Sequence, residues 1–316
     1  MKLSAKTSAA NCGPSRLPRS AVLLSAIVLA VLHPAAGQTV TSVAKNPASH
    51  EWSVRWQPAQ LVNGSPIMFQ VAPPSRLTAL TGKWLAHDVS FTYDPAGKSW
   101  YGIGGISLET RPGAYSLELR GTTVRGNEVS FSHKVTVRKA KYPTIAVTVA
   151  KQYTEPSPEQ LERINQDKTV KKDVFSHTDP EREWSEKFRR PVEAKISDVF
   201  GTQRVFNGKV QSMHQGLDYA VPGGTPVSAV NAGTVLLAGP LYFEGNCVVL
   251  DHGQGLMTLY LHLSEIQVKQ GERIEGGQQI GLSGGTGRAS GPHLHLAVRW
   301  QGVYLNPATL LSLRLP

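Results

Sequence analysis

Residues 284–296 read Gly-Gly-Thr-Gly-Arg-Ala-Ser-Gly-Pro-His-Leu-His-Leu, a Gly-rich loop that runs into a short alternating segment. Successive side chains of a strand point to opposite faces, so His293 and His295 project the same way, with Cα atoms about 6.5 to 7 Å apart. Two imidazoles then face one space. Taken alone, such a pair also fits two surface histidines on an edge strand. The loop lacks Gly-Lys-Ser/Thr and leads into a strand rather than a helix, which argues against a phosphate cradle.

Upstream, His214-Gln215-Gly216-Leu217-Asp218 offers a further imidazole and a carboxylate, and Tyr260-Leu261-His262-Leu263 another imidazole. Neutral imidazole nitrogen and carboxylate oxygen are ligands that Zn²⁺ takes at about 2.0 to 2.2 Å, and a catalytic zinc uses three protein ligands plus water. Two histidines and one carboxylate also suit the facial triad of a non-haem iron oxygenase. On strand parity, His262 shares a side with Thr258 and Tyr260 and is expected to face the site, with Leu259 and Leu261 facing the core.

The C-terminal part resembles the lysostaphin/LytM-type zinc endopeptidases that cut peptidoglycan. The resemblance covers roughly residues 191 to 310. It rests on His214-x-Gly216-x-Asp218, Gly224-Thr225-Pro226-Val227, Asp251-His252-Gly253-x-Gly255, Tyr260-x-His262-Leu263-Ser264, Gly277-Gln278-x-Ile280-Gly281 and Gly291-Pro292-His293-Leu294-His295. It implies a β-rich peptidase domain with an active-site groove, Zn²⁺ held by His214, Asp218 and His295, and His262 and His293 beside the metal as catalytic groups. A three-ligand site that keeps a water cannot also take the remaining imidazoles, so that division is chemically reasonable. The implied substrate is the peptide stems or cross-bridges of peptidoglycan, attacked by a metal-activated water. The alternative is a non-catalytic LytM-type module that activates cell-wall amidases, but domains of that kind lack metal positions and all five candidates are present here. In one departure from the family, the Phe-Gly-x-Arg signature is replaced by Phe200-Gly201-Thr202-Gln203-Arg204, so a substrate-binding role is not carried onto Arg204.

The N-terminus reads as a secretory signal over residues 1–37. Lys2, Lys6, Arg16 and Arg19 precede the apolar run 21–32 and the small residues Ala35-Ala36-Gly37. This basic, apolar, small-residue order is that of an export signal, and the run is too short for an ordinary membrane span. The expected location is therefore the periplasm or cell envelope, or outside the cell where no outer membrane exists. Membrane contact is expected only through the signal, and nucleic acid is not an expected partner. Loss of its four cations takes the formal charge from +10 to +6 and leaves Cys247 as the one thiol, so no internal disulfide can form. Cys247 lies in an apolar run without a neighbouring base and reads as a small buried residue.

An all-β fold is expected, with the domain at 38–150 a β-sandwich. Leu117 and Leu119 alternate with polar residues, as do Val129, Phe131, Val135 and Val137, and Gly, Pro and Asn turns separate such runs. Trp100-Tyr101-Gly102-Ile103 and Arg111-Pro112-Gly113-Ala114-Tyr115 resemble the immunoglobulin-like domain that precedes the peptidase in some periplasmic relatives. Residues 151–191 read as a helical connector. One helix opens at Ser157-Pro158-Glu159-Gln160, with Leu161 and Ile164 on one face, and a second short helix opens at Asp179-Pro180-Glu181, with Trp184 and Phe188 sharing a side. Its lysines, Lys171 among them, read as a solvated face, His177 as a surface residue and His252 as structural. In the peptidase domain, 192–316, strands are expected over 227–235, 247–250, 257–262 and 293–298.

Overall fold

A computed structural model describes residues 51–315 of the chain, apart from Glu186, Asn207 and Lys209. The expected signal and His50 lie outside the described residues.

The chain is all-β apart from two α-helices and one 3₁₀ turn among those residues. Its N-terminal part holds two sheets. One has four strands, in the order Ser53–Gln57, Pro66–Ala72, Ser99–Gly105, Thr92–Asp94. The other has five, in the order Leu61–Val62, Glu128–Arg138, Gly113–Thr123, Leu77–Trp84, His87–Ser90. The alternation in the sequence sets the inward face, since Leu117, Leu119, Val135 and Val137 are all buried. His133 lies half-buried on the same strand, its ring 5.6 Å from that of Trp56.

The C-terminal part is built on a large antiparallel sheet. Its strands run in the order Lys195–Asp198, Gly216–Ala220, Leu294–Trp300, Leu256–Leu263, Gly245–Asp251, Gly233–Leu241, Arg273–Ile274. The expected strand over 227–235 is broken in two. Pro226–Ser228 pairs with Gln279–Leu282 in a separate small sheet, and the chain rejoins the main sheet only at Gly233. Gly233 packs against the Asp251 carbonyl so closely that a Cβ would overlap it.

The two parts share one apolar core, in which Trp84 and Phe69 belong to the same buried cluster as Tyr260 and Trp300. Thr144–Val147 pairs in parallel with Gln203–Phe206, so the strand after the N-terminal sheets is stitched to the peptidase part.

The connector departs from expectation in its second half. The first helix, Pro158–Ser176, forms as read: Ser157 accepts from the Gln160 N–H and the Gln160 side chain reaches back to the Ser157 N–H, closing a capping box. It does not pack through Leu161, which is 48% exposed. Ile164 and Asp167 are its buried residues, and the Asp167 carboxylate accepts from the Tyr242 N–H. Lys171 is not a free surface cation, since it pairs with Glu244 at 2.7 Å.

The second helix is absent: residues 178–185 and 187–190 form neither helix nor strand. Glu183 N–H donates to the His252 carbonyl at 2.9 Å, Gln254 N–H donates to Asp179 O at 2.6 Å, and Arg189 N–H donates to Val230 O at 2.8 Å. Backbone groups spent in this way cannot also close helical turns. Trp184 and Phe188 are still side by side, at 6.2 Å between ring centroids, but both are 1% exposed in the peptidase core. His177 is not merely a surface group either, because its Nε2 lies 3.3 Å from the buried Asp251 carboxylate.

Candidate active site

Three adjacent strands of the main sheet bring the candidate residues together. Asp218 lies directly across from His295, and His295 directly across from Leu261 on the next strand. Residues opposite one another in antiparallel strands share a face, so Asp218 and His295 meet. His214 enters from the preceding turn, its N–H donating to Thr202 O and its carbonyl accepting from Gly201 N–H, both at 2.8 Å. Gly201 has a φ of +84° and lies so close to the Tyr142 ring that a Cβ would overlap it. Here the Phe200-Gly201 pair serves to hold His214.

The donor atoms converge. His214 Nε2 lies 3.1 Å from Asp218 Oδ1 and 3.1 Å from His295 Nδ1, and His295 Nδ1 lies 2.7 Å from Asp218 Oδ1. Ligand atoms at zinc bond lengths on a tetrahedron stand roughly 3.3 Å apart, so the cluster has the dimensions and the N₂O composition of a zinc site. His214 Nδ1–H donates to Val199 O at 2.8 Å, which leaves Nε2 as the free acceptor. Burial by itself raises the Asp218 carboxyl, but the neighbouring His295 and His214 overcome it and hold the group well below the usual carboxylate range. Burial also pushes the pKa of His295 down, keeping both members of that pair in ligand form.

His262 reaches the site by a route strand parity does not give. Leu259 and Leu261 face the groove, while Thr258 and Tyr260 face the core with His252, the reverse of the expected sides. By strict alternation His262 would point away from the metal cluster. It is turned back because its own φ is +64° and the pairing slips by one residue, Val248 standing against Tyr260 and Asn246 against Leu263. This is a β-bulge, which re-aims a side chain. The His262 ring lies 4.8 Å from His293 and 6.0 Å from His295, centroid to centroid. Its Nδ1–H donates to Thr286 O at 2.8 Å, leaving Nε2 free. Burial first, then the adjacent His295 and His293, lower its pKa to about 3, so it is neutral at physiological pH. His293 sits just before its strand, bridged to Gly284, with Nδ1 2.8 Å from Gly291 O and Nε2 3.9 Å from Asp218 Oδ1.

Residues 212–307 match the family model for peptidase family M23. The chain carries a peptidase family M23 domain. Over 121 residues it is 45% identical to the peptidoglycan DD-endopeptidase ShyA of Vibrio cholerae, a match covering 37% of this chain and 28% of that relative. Over 119 residues it is 40% identical to the DD-carboxypeptidase/endopeptidase Mpg of Neisseria meningitidis serogroup B, covering 38% and 27%. The matches thus span less than a third of either curated relative. A crystal structure assigned to peptidase M23 from Pseudomonas aeruginosa superposes with a TM-score of 0.63 at 29% identity, over 80% of this chain and 95% of that one.

Two further residues touch the cluster: Arg204, which the sequence left without a role, and Asp198, which it did not single out. Arg204 donates from Nε and Nη2 to Asp198 Oδ2, at 2.8 and 2.6 Å, and from Nη2 to Asp218 Oδ2. It thereby fixes which oxygen Asp218 presents to the cluster, and Asp198 Oδ2 also lies 3.3 Å from His214 Nδ1. The one-residue displacement from the family signature hid Arg204. Asp198 carried no motif, and only its position on a strand pairing with Asp218 places it. Cys247 is buried and its thiol is pushed up to about 12 by burial, so it is no nucleophile. His252 is fully buried, with Nδ1 2.6 Å from Ala232 O and Nε2 2.7 Å from Thr258 Oγ1, and serves the core.

The groove beside the cluster has a volume of about 440 Å³. Leu259, Leu261 and Ala297 line it together with the histidines, and Ile145 and Val147 of the 144–147 strand stand at its rim.

Proposed function

We propose that the chain is an exported zinc metalloendopeptidase that hydrolyses peptide cross-links of peptidoglycan. The convergence of His214, Asp218 and His295 within 2.7 to 3.1 Å of one another, with two further imidazoles along the same groove, carries this reading. The relatives' names, peptidoglycan DD-endopeptidase and DD-carboxypeptidase/endopeptidase, support a peptide bond of peptidoglycan as the substrate. The signal-like N-terminus supports export. A non-catalytic role is not favoured, because all five candidate positions are filled.

Zinc held by His214, Asp218 and His295 would lower the pKa of its water towards 7 and polarise the scissile carbonyl. The protein's own groups do the rest. His262 Nε2, in a ring kept neutral by burial, accepts a hydrogen bond and orients the nucleophile. His293 Nε2 lies on the same side, in a ring with more access to solvent, and is placed to pass a proton to the leaving amine and to stabilise the oxyanion. Arg204 and Asp198 hold Asp218 and His214 in register. The apolar floor excludes water from the bond being cut.

Purified protein added to isolated sacculi, with no partner enzyme, is expected to release soluble muropeptides. The release stops on chelation and returns with Zn²⁺, and product masses identify the bond. A folded, zinc-loaded protein that releases nothing would overturn the proposal.

A further inference from the structure

Arg288 sits within the Gly-rich loop and lines the same groove as His293 and Asp218. Its guanidinium lies 5.0 Å over the Phe206 ring and 4.7 Å over the Phe243 ring, and its backbone N–H donates to Phe243 O at 2.8 Å. Two aromatic faces therefore hold the plane of the group and leave its edge N–H donors to point elsewhere. Among the described residues no carboxylate lies within ion-pair distance of it, and its guanidinium makes no hydrogen bond to them. The acid whose charge reaches it, Glu244, pairs through Oε1 with Lys171 at 2.7 Å and makes no ion pair with Arg288. The other groove arginine, Arg204, is paired with both Asp198 and Asp218. The groove thus holds one cation paired with carboxylates and one that is partly buried, held between two rings and without such a partner among the described residues.

A planar, partly desolvated guanidinium with free donors matches a carboxylate in bidentate geometry. We infer that Arg288 binds a free carboxylate of the substrate, so that the site selects a cross-link peptide carrying an anionic group near the scissile amide over a neutral one such as a glycine bridge. The inference rests on the peptidase reading above and specifies its substrate.

The test uses the full chain, zinc-loaded, and two synthetic cross-linked peptides that differ only in bearing a free carboxylate or a carboxamide on the leaving residue. Wild type is expected to favour the carboxylate peptide about 10- to 100-fold in kcat/KM, mainly through KM, the loss expected for one charge-assisted hydrogen-bonded pair. Arg288→Gln is expected to bring the two peptides to equal kcat/KM while retaining zinc content and melting temperature, and Arg288→Lys to restore part of the preference. Equal cleavage of both peptides by wild type, or a preference that survives in Arg288→Gln, would overturn the inference and leave the peptidase reading intact. Cleavage of neither peptide by the zinc-loaded wild type would overturn both.

Discussion

A methyl group at position 216 would overlap Nε2 and Cε1 of His295, so the backbone of one strand makes room for the ring of the proposed ligand on the next. Gly216→Ala is therefore expected to displace His295 and weaken zinc binding about 10- to 100-fold, the scale of a disturbed ligand environment, with competition against a zinc chelator as the measurement. His262 and His293 make a different prediction, because neither is a proposed ligand. Replacing either by Ala should leave one zinc per chain by elemental analysis and lower kcat about 10²- to 10⁴-fold. Zinc loss in either variant would show that the division of roles is wrong. His293 and His295, two apart on an alternating segment, could be paired from the sequence. The side on which His262 lies could not, because parity fails at a bulge that only the pairing of neighbouring strands reveals.

At the scale of elements, the connector divides into a helix whose signals are local and a non-helical segment whose signals are not. Ser157 and Gln160 close a capping box that a reader of the chain can see, and Ser157→Ala should cost about 1 kcal/mol of stability, read by denaturant unfolding. Trp184 and Phe188 have a helix-compatible spacing, yet backbone groups of Asp179, Glu183 and Arg189 bond to the turn at 252–254 and to Val230. Gly253 receives them so closely that a Cβ there would overlap the Glu181 carbonyl. Trp184→Ala is accordingly expected to cost about 3 to 5 kcal/mol, as for a large core residue, and to lower the melting temperature of the whole chain. A shift no larger than that of a surface substitution would place this segment outside the core.

Across the whole molecule, the N-terminal sheets and the M23 domain share one core, and a buried polar chain runs through its peptidase side. Val230 N–H donates to Tyr260 Oη at 2.8 Å, the Tyr260 and Thr258 hydroxyls are 3.2 Å apart, and Thr258 Oγ1 lies 2.7 Å from His252 Nε2. Burial lowers the His252 pKa to about 4, below the ordinary value near 6.5. The unfolded chain therefore takes up a proton below pH 6.5 that the fold refuses until about pH 4. Stability from this group is fully present above pH 6.5, declines as the pH falls, and is lower by about 3 kcal/mol at pH 4. Denaturant unfolding of zinc-free protein at pH 7, 5.5 and 4 should show this slope in the wild type and a flatter one in His252→Gln.

The sequence by itself determined the all-β class, the first connector helix and which five histidine and aspartate side chains share one groove, because alternation, caps and ligand-bearing motifs are properties of neighbours along the chain. Only the tertiary structure decided that Leu259 and Leu261 floor the groove, that no helix forms around Trp184 and Phe188, and that Arg204 is spent on two carboxylates while Arg288 is left open. Each of these depends on which backbone and side-chain groups meet across tens of residues, and hydrogen bonds and ion pairs made at that distance leave no period in the sequence.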